Sequence, residues 1–389
     1  MHKRIALAGV CALVVAGCGS PGLSSPPSAN GLGSLAAPAG KYAVLHSFGG
    51  SGDGAQPQDK LVVAGGKLYG TTVAGGAYGS GTVFEITPTG SEKVVYSFGA
   101  AAGDGTFPYG SLLNVNGVLY GTTSQGGKNN AGTVFSVTTS GKEKVIYSFD
   151  TTHGSSPVAA PIRVGAEFYG TTENGGSKGY GTVFGVTASG KERVLHEFAG
   201  GKDGALPHGS LILVKGQLYG TTVQGGSSSE NGTVFAVSTA GKERVVHAFL
   251  DQGDGQWPYA ALIDVGGKLY GTTSAEAGVS GGTLFSVTPS GVEHTVYHFT
   301  GARNGSTPEC ALVFTNGTFY GTTASGGYLS YGTAFAVTLA GKYRLLHEFG
   351  HGNDGQTPYA GFVLLGGKLY GTTAYGGANG AGTVFAITP

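Results

Sequence analysis

From residue 41 onward, apolar and polar side chains alternate with a period of two in short runs, and glycine breaks the runs every few residues. One stretch shows the whole pattern. Ser111 to Val115, Val118 to Thr123, Gly132 to Thr138 and Lys144 to Phe149 each alternate in this way and predict four short strands. The pair Asn116-Gly117 between the first two suits a two-residue hairpin loop, as do Gly266-Gly267 and Asn316-Gly317 at the corresponding places. A second turn is expected around Gly90, Gly141, Gly190, Gly241, Gly291 and Gly341.

The pattern recurs. Tyr-Gly-Thr-Thr begins at Tyr69, Tyr120, Tyr169, Tyr219, Tyr270, Tyr320 and Tyr370, a spacing of 49 to 51 residues. Each copy is followed by Gly-Thr-(Val/Leu/Ala)-Phe, ending at Phe84, Phe135, Phe184, Phe235, Phe285, Phe335 and Phe385. Four strands in about fifty residues is the unit of a β-propeller blade, so the chain is expected to be all-β, a seven-bladed β-propeller of four-stranded blades. The ends of the pattern decide between a ring and an open stack. A strand of the repeat's last type stands at 44–48, ahead of the first Tyr-Gly-Thr-Thr, whereas the final repeat stops at Pro389 without one. The N-terminal strand is therefore expected to complete the last blade, closing the ring and removing the exposed edges that an open stack would have to cap.

Composition agrees. Glycine accounts for 76 of 389 residues and charged residues for only 11%, which disfavours helix. Lys plus Arg and Asp plus Glu number 22 each, so no net field would steer the molecule towards nucleic acid, which is not an expected partner. Residues 1–17 read as an export signal, basic at His2, Lys3 and Arg4 and apolar from Ile5 to Ala16. Val15-Ala16-Gly17-Cys18 resembles a bacterial lipobox, which makes Cys18 the expected site of lipidation and the outer membrane the expected destination. Residues 18–40, rich in Ser, Pro, Gly and Ala, read as a flexible tether to a propeller spanning 41–389. With Cys11 and Cys18 in the leader, Cys310 is left as a single thiol, read as a small buried hydrophobe.

On Leu-Tyr-Gly-Thr-Thr, Gly-Gly and Gly-Thr-Val-Phe, the chain resembles the GloVer tandem-repeat family of bacterial extracytoplasmic proteins over essentially all of 41–389. The resemblance implies a surface or periplasmic protein whose attachment device varies between members. It brings no activity and no catalytic residues. The sequence departs from the pattern at Gly165-Ala166 and at Glu276-Ala277, where local irregularity is expected.

The repeated positions have packing explanations. In Tyr-Gly-Thr-Thr the Gly and second Thr share one strand face, and the Gly is expected to admit the neighbouring blade. The slot holding His46, Tyr96, Tyr147, His196, His247, Tyr297 and His347 reads as an aromatic filler. Its histidines, one to a blade, cannot converge on one ion, and no metal or other cofactor is expected. The loops between blades carry Asp-Gly-x-x-Pro at Asp53, Asp104, Asp203, Asp254 and Asp354, with His153 and Asn304 in the same slot. Turn formation explains them; a ring of carboxylates meeting a cation or sugar hydroxyls is the other reading, although one carboxylate per loop is poor for calcium.

Beside each Pro some blades place a ring or polar group: Phe107, Tyr109, His208, Trp257, Tyr259 and Tyr359. Such a rim would suit stacking on sugars, which makes Trp257, Tyr259, Tyr109, His208, Tyr359 and Asp254 the candidate ligand residues; packing on the adjacent blade is the plainer reading. No catalytic residue is assigned. Gly278-Val279-Ser280-Gly281-Gly282 matches a nucleophile-elbow pattern but lies between strands with no helix following, and His294 with His298 has only Glu293 as a near carboxylate. The expected function is that of a monomeric, non-catalytic, lipid-anchored module of the cell envelope that binds an envelope protein or an extracellular glycan. A hydrolase or lyase acting on polysaccharide or peptide at the channel mouth is the alternative.

Overall fold

Period-two alternation with glycine at the turns gives one four-stranded antiparallel sheet per repeat in the computed structural model, which describes residues 41–250, 253–276, 278 and 281–389. The leader, the tether, Cys18, Ala277 and the Ser280 of the elbow pattern lie outside the described residues. In the first blade the strands are Val62–Ala64, Lys67–Thr72, Thr82–Ile86 and Glu92–Ser97, in that order across the sheet. The first strands of neighbouring blades touch one another, so they face the ring axis and the fourth strands face outwards. Among the described residues the helical structure is a single 3-10 turn, Gly201–Asp203, and no helix is long and apolar enough to cross a membrane.

The last blade closes the ring. Its strands are Val363–Leu365, Lys368–Thr373, Thr383–Thr388 and Lys41–Ser47, the last paired antiparallel with Lys41 opposite Thr388 and Ala43 opposite Ala386. Blade interfaces repeat around the circle. At each, the Phe that ends a fourth strand sets its ring edge-on to the Phe of the next blade's third strand, from Phe48 on Phe84 at 5.0 Å to Phe349 on Phe385 at 5.1 Å. In every blade but the third, whose Thr171 hydroxyl has no partner among the described residues, the first Thr of Tyr-Gly-Thr-Thr also reaches across. Thr71 Oγ1 donates to the Gly110 carbonyl (3.1 Å) and Thr372 Oγ1 to the Asp59 carbonyl (3.2 Å), which ties the seventh blade to the first.

The glycine of Tyr-Gly-Thr-Thr does not admit the neighbouring blade. A Cβ on Gly70 would lie 2.7 Å from the ring of Phe84, its cross-strand partner, and 2.8 Å from Leu61, both of the same blade. The close approach is made between blades at another glycine. In every blade the pairing of third and fourth strands slips by one residue, in the first between Val83 and Phe84, leaving Val95 bulged. The Val95 carbonyl then sits where a Cβ on Gly141, in the turn of the next blade, would be 2.6 Å away. The hairpin loops take the expected positive φ, 53° at Asn116 and 83° at Gly117. At Gly165-Ala166 the third blade keeps the regular register, with Ile162 opposite Tyr169, and the expected irregularity is confined to the turn, where Gly165 (62°) alone has positive φ while the other six loops have it at both central residues.

Candidate functional site

Two kinds of residue cluster gather where the blade-to-blade loops meet the sheets. The first grows from the Asp-Gly of each loop. The Gly is there for room: a Cβ on Gly54 would fall 2.4 Å from Thr72 Oγ1 and 2.8 Å from Thr82 Oγ1, two buried hydroxyls bonded to each other at 2.8 Å. The Asp folds back on the preceding strand. Asp53 accepts from the Gly54 amide (2.7 Å) and is hydrogen-bonded to His46 Nε2 (2.9 Å); Asp104 takes the Tyr96 hydroxyl (2.9 Å) and the Gly99 amide (2.8 Å). Asp254 is engaged in the same way, with His247 Nε2 at 3.1 Å and the Leu250 amide at 2.9 Å. In the third blade the roles shift by three residues, and Asp150 accepts from the His153 amide at 2.8 Å.

The histidine slot is thus one half of a pair, and the next blade adds a third member. Glu92 opens the fourth strand of the first blade and Glu243 that of the fourth. The ligating atoms of His46, Asp53 and Glu92 lie within 4.8 Å of one another, as do those of His196, Asp203 and Glu243. His298 also has a carboxylate partner that its sequence neighbours do not reveal: the buried Glu276, 2.8 Å from Nδ1.

The second cluster lies on the axis. The residue after each loop Pro, one per blade from Gln58 to Tyr359, lines a single cavity of about 580 Å³. Four of the candidate ligand residues, Tyr109, His208, Tyr259 and Tyr359, come together there. Rings of His208 and Tyr259 meet edge-on at 5.1 Å. Trp257 is not among the lining residues; it stands 42% exposed on the loop, at φ 57°, its amide donating to the Asn231 carbonyl (2.8 Å).

Three charged residues also face the lumen: Asp59, Lys60 and Glu309. Asp59 is a staple between two blades. It accepts from the Ser111 amide and hydroxyl and from the Lys60 amide, each at 2.6 Å, while burial pushes its carboxyl above the usual range against those bonds. Burial also holds the Lys60 ammonium below its ordinary value, with Asp59 opposing. Glu309 is pushed up to about 7 by burial, so near neutrality it both donates and accepts. The lumen therefore presents flat aromatic faces and a few convergent polar groups, the recipe for holding a small polyhydroxylated ligand. Sequence reasoning passed over all three charged residues. Asp59 did leave a signal: it occupies a slot filled elsewhere by Gly110, Ala159, Gly209, Ala260, Cys310 and Ala360.

The Gloeobacter/Verrucomicrobia repeat family model matches residues 22–167, 164–330 and 303–389. No curated protein matches the chain in sequence. Among solved structures, a putative 6-phosphogluconolactonase from Bacteroides uniformis is similar at TM-score 0.51 and 16% identity, over 78% of this chain and 88% of that one. A puromycin-hydrolyzing peptidase of Mycobacterium tuberculosis aligns at TM-score 0.53 and 11% identity, over 82% of this chain and 50% of the peptidase, so this chain spans half of the peptidase's length. The endosialidase of phage phi92 aligns at TM-score 0.50 and 10% identity, over 90% and 69%. Identities this low show a shared fold and nothing finer.

Proposed function

This chain belongs to the Gloeobacter/Verrucomicrobia repeat family, and from that premise we propose that it is a non-catalytic cell-envelope propeller, tethered to a membrane through an acylated Cys18, that binds the end of a glycan in its axial cavity. One observation carries the binding part. The blades are near copies of one another in sheet and interface, yet where they face the axis they diverge into Tyr109, His208, Tyr259, Glu309, Tyr359 and the Asp59-Lys60 pair. Repetition serves the ring; divergence in one concave place serves a ligand. Asp59 is held by three donors and acts as a strut, which leaves the phenols, Lys60 and Glu309 as the groups that meet a sugar.

A glycan array probed with the purified protein tests this. Tyr109→Ala and Tyr259→Ala are each expected to weaken the best ligand about tenfold, the size of one lost aromatic contact, and Trp257→Ala, outside the cavity, to change it little. Binding that survives both tyrosine changes and falls with Trp257→Ala would move the site to the rim. Cys18→Ser is expected to release the protein from membranes into the soluble fraction. A second reading, hydrolysis or elimination at the channel mouth, is favoured by Glu309, whose near-neutral carboxyl suits acid–base work. Turnover of any polysaccharide or peptide that Glu309→Gln abolishes would establish that reading instead.

A further inference from the structure

Away from the axis, we infer that the His46–Asp53–Glu92 and His196–Asp203–Glu243 clusters are two inter-blade sites for a divalent transition cation of the zinc type, each joining one blade to the next. The argument starts from the donor set. Each cluster brings an imidazole nitrogen from the fourth strand of one blade, a carboxylate from the connecting loop, and a second carboxylate from the fourth strand of the following blade, all within 4.8 Å. One nitrogen and two carboxylate oxygens, leaving a fourth position to water, is a zinc set; calcium would call for more oxygens and no imidazole.

A second observation points the same way. Glu92 Oε1 and Glu243 Oε1 are buried and have no hydrogen-bond partner among the described residues, although a second carboxylate stands beside each; Glu143 Oε1 and Glu192 Oε1 are left in the same way where a tyrosine replaces the histidine, so it is the added imidazole that sets these two clusters apart. Two carboxylates so placed need a proton or a cation between them, and here the imidazole nitrogen completes a set that a cation can occupy. The His and Asp keep part of their surface open to solvent, 22% and 11% of the side chain at His46 and Asp53, which leaves a route for an ion.

The other interfaces show the pattern being dismantled. At the next interface Tyr96 replaces the histidine beside Asp104 and Glu143. At two others the Glu position holds Tyr343 and Tyr42, whose rings fill the place by stacking on Tyr297 (5.0 Å) and His347 (3.7 Å). At the fifth blade Glu293 is drawn off by the Thr295 hydroxyl at 3.2 Å. Two complete sets remain among the described residues.

The test is calorimetric titration of the untagged, chelator-stripped full chain with Zn2+, with Co2+ absorption as an independent reading of tetrahedral coordination. The expected result is two equivalents. Glu92→Gln and Glu243→Gln are each expected to remove one, and the double variant both. His46→Tyr, which copies the residue native to the Tyr96 slot and so keeps the fold, removes the first as well. No zinc uptake by the folded wild type, or the same uptake by the double Gln variant, overturns the inference.

Discussion

Glu143 and Glu309 carry a clear titration signature at the scale of single residues. Burial raises both to about 7, with Asp104 adding to the effect on Glu143. A carboxyl whose folded-state value lies above its unfolded value of 4.5 keeps its proton in the folded chain while the unfolded chain ionises. Stability is therefore full below about pH 4.5, falls as pH rises, and levels off above about pH 7. Glu309→Gln removes this loss. Calorimetric melting should show its Tm roughly 2–5 °C above wild type at pH 8 and equal to it at pH 4.5, whereas a variant that melts alike at both pH values, or lower at pH 8, would show that Glu309 is not held protonated. At this scale the chain was partly legible. Asp-Gly reads as a turn from residue type alone, and the fold adds what only packing can: the Gly clears two threonine hydroxyls and the Asp clasps a His or Tyr seven or eight residues back. Glu309 was illegible as a lumen residue because nothing local distinguishes a side chain facing the axis from one facing solvent.

For the strands, hairpin turns were readable since two-residue loops demand positive φ and five of the seven are Asn-Gly or Gly-Gly, the others being Gly165-Ala166 and Lys215-Gly216. The bulges left no such mark, because any apolar residue can occupy one. Yet the bulge at Val95 explains why the next blade's turn needs Gly141, whereas Gly117 has nothing within 4 Å of where its Cβ would be. Both glycines have positive φ, 90° and 83°. Gly117→Ala should therefore cost only the backbone strain, about 1 kcal/mol, and Gly141→Ala that strain plus a clash with a carbonyl that cannot rotate away, about 3 kcal/mol in all. Denaturant unfolding of the two variants separates the cases; equal losses would mean that the bulge and turn do not interlock.

Across the whole molecule, the fold was the most legible feature and the site the least. A spare strand at the start and a missing one at the end are visible in the chain, and ring closure follows from the cost of open edges. Which side chains meet on the axis depends on seven blades converging, a relation that no single repeat contains. The central claim is that closure, and the register names its most direct test. Lys41 and Thr388 are exposed partners in adjacent antiparallel strands, within reach of a disulfide. Oxidising the Lys41→Cys/Thr388→Cys variant and mapping the product by peptide mass should give an intramolecular bridge between positions 41 and 388, with none in Lys41→Cys/Thr338→Cys, where the second cysteine occupies the same place one blade earlier. A bridge to position 338, covalent dimers alone, or no bridge at all would contradict the ring.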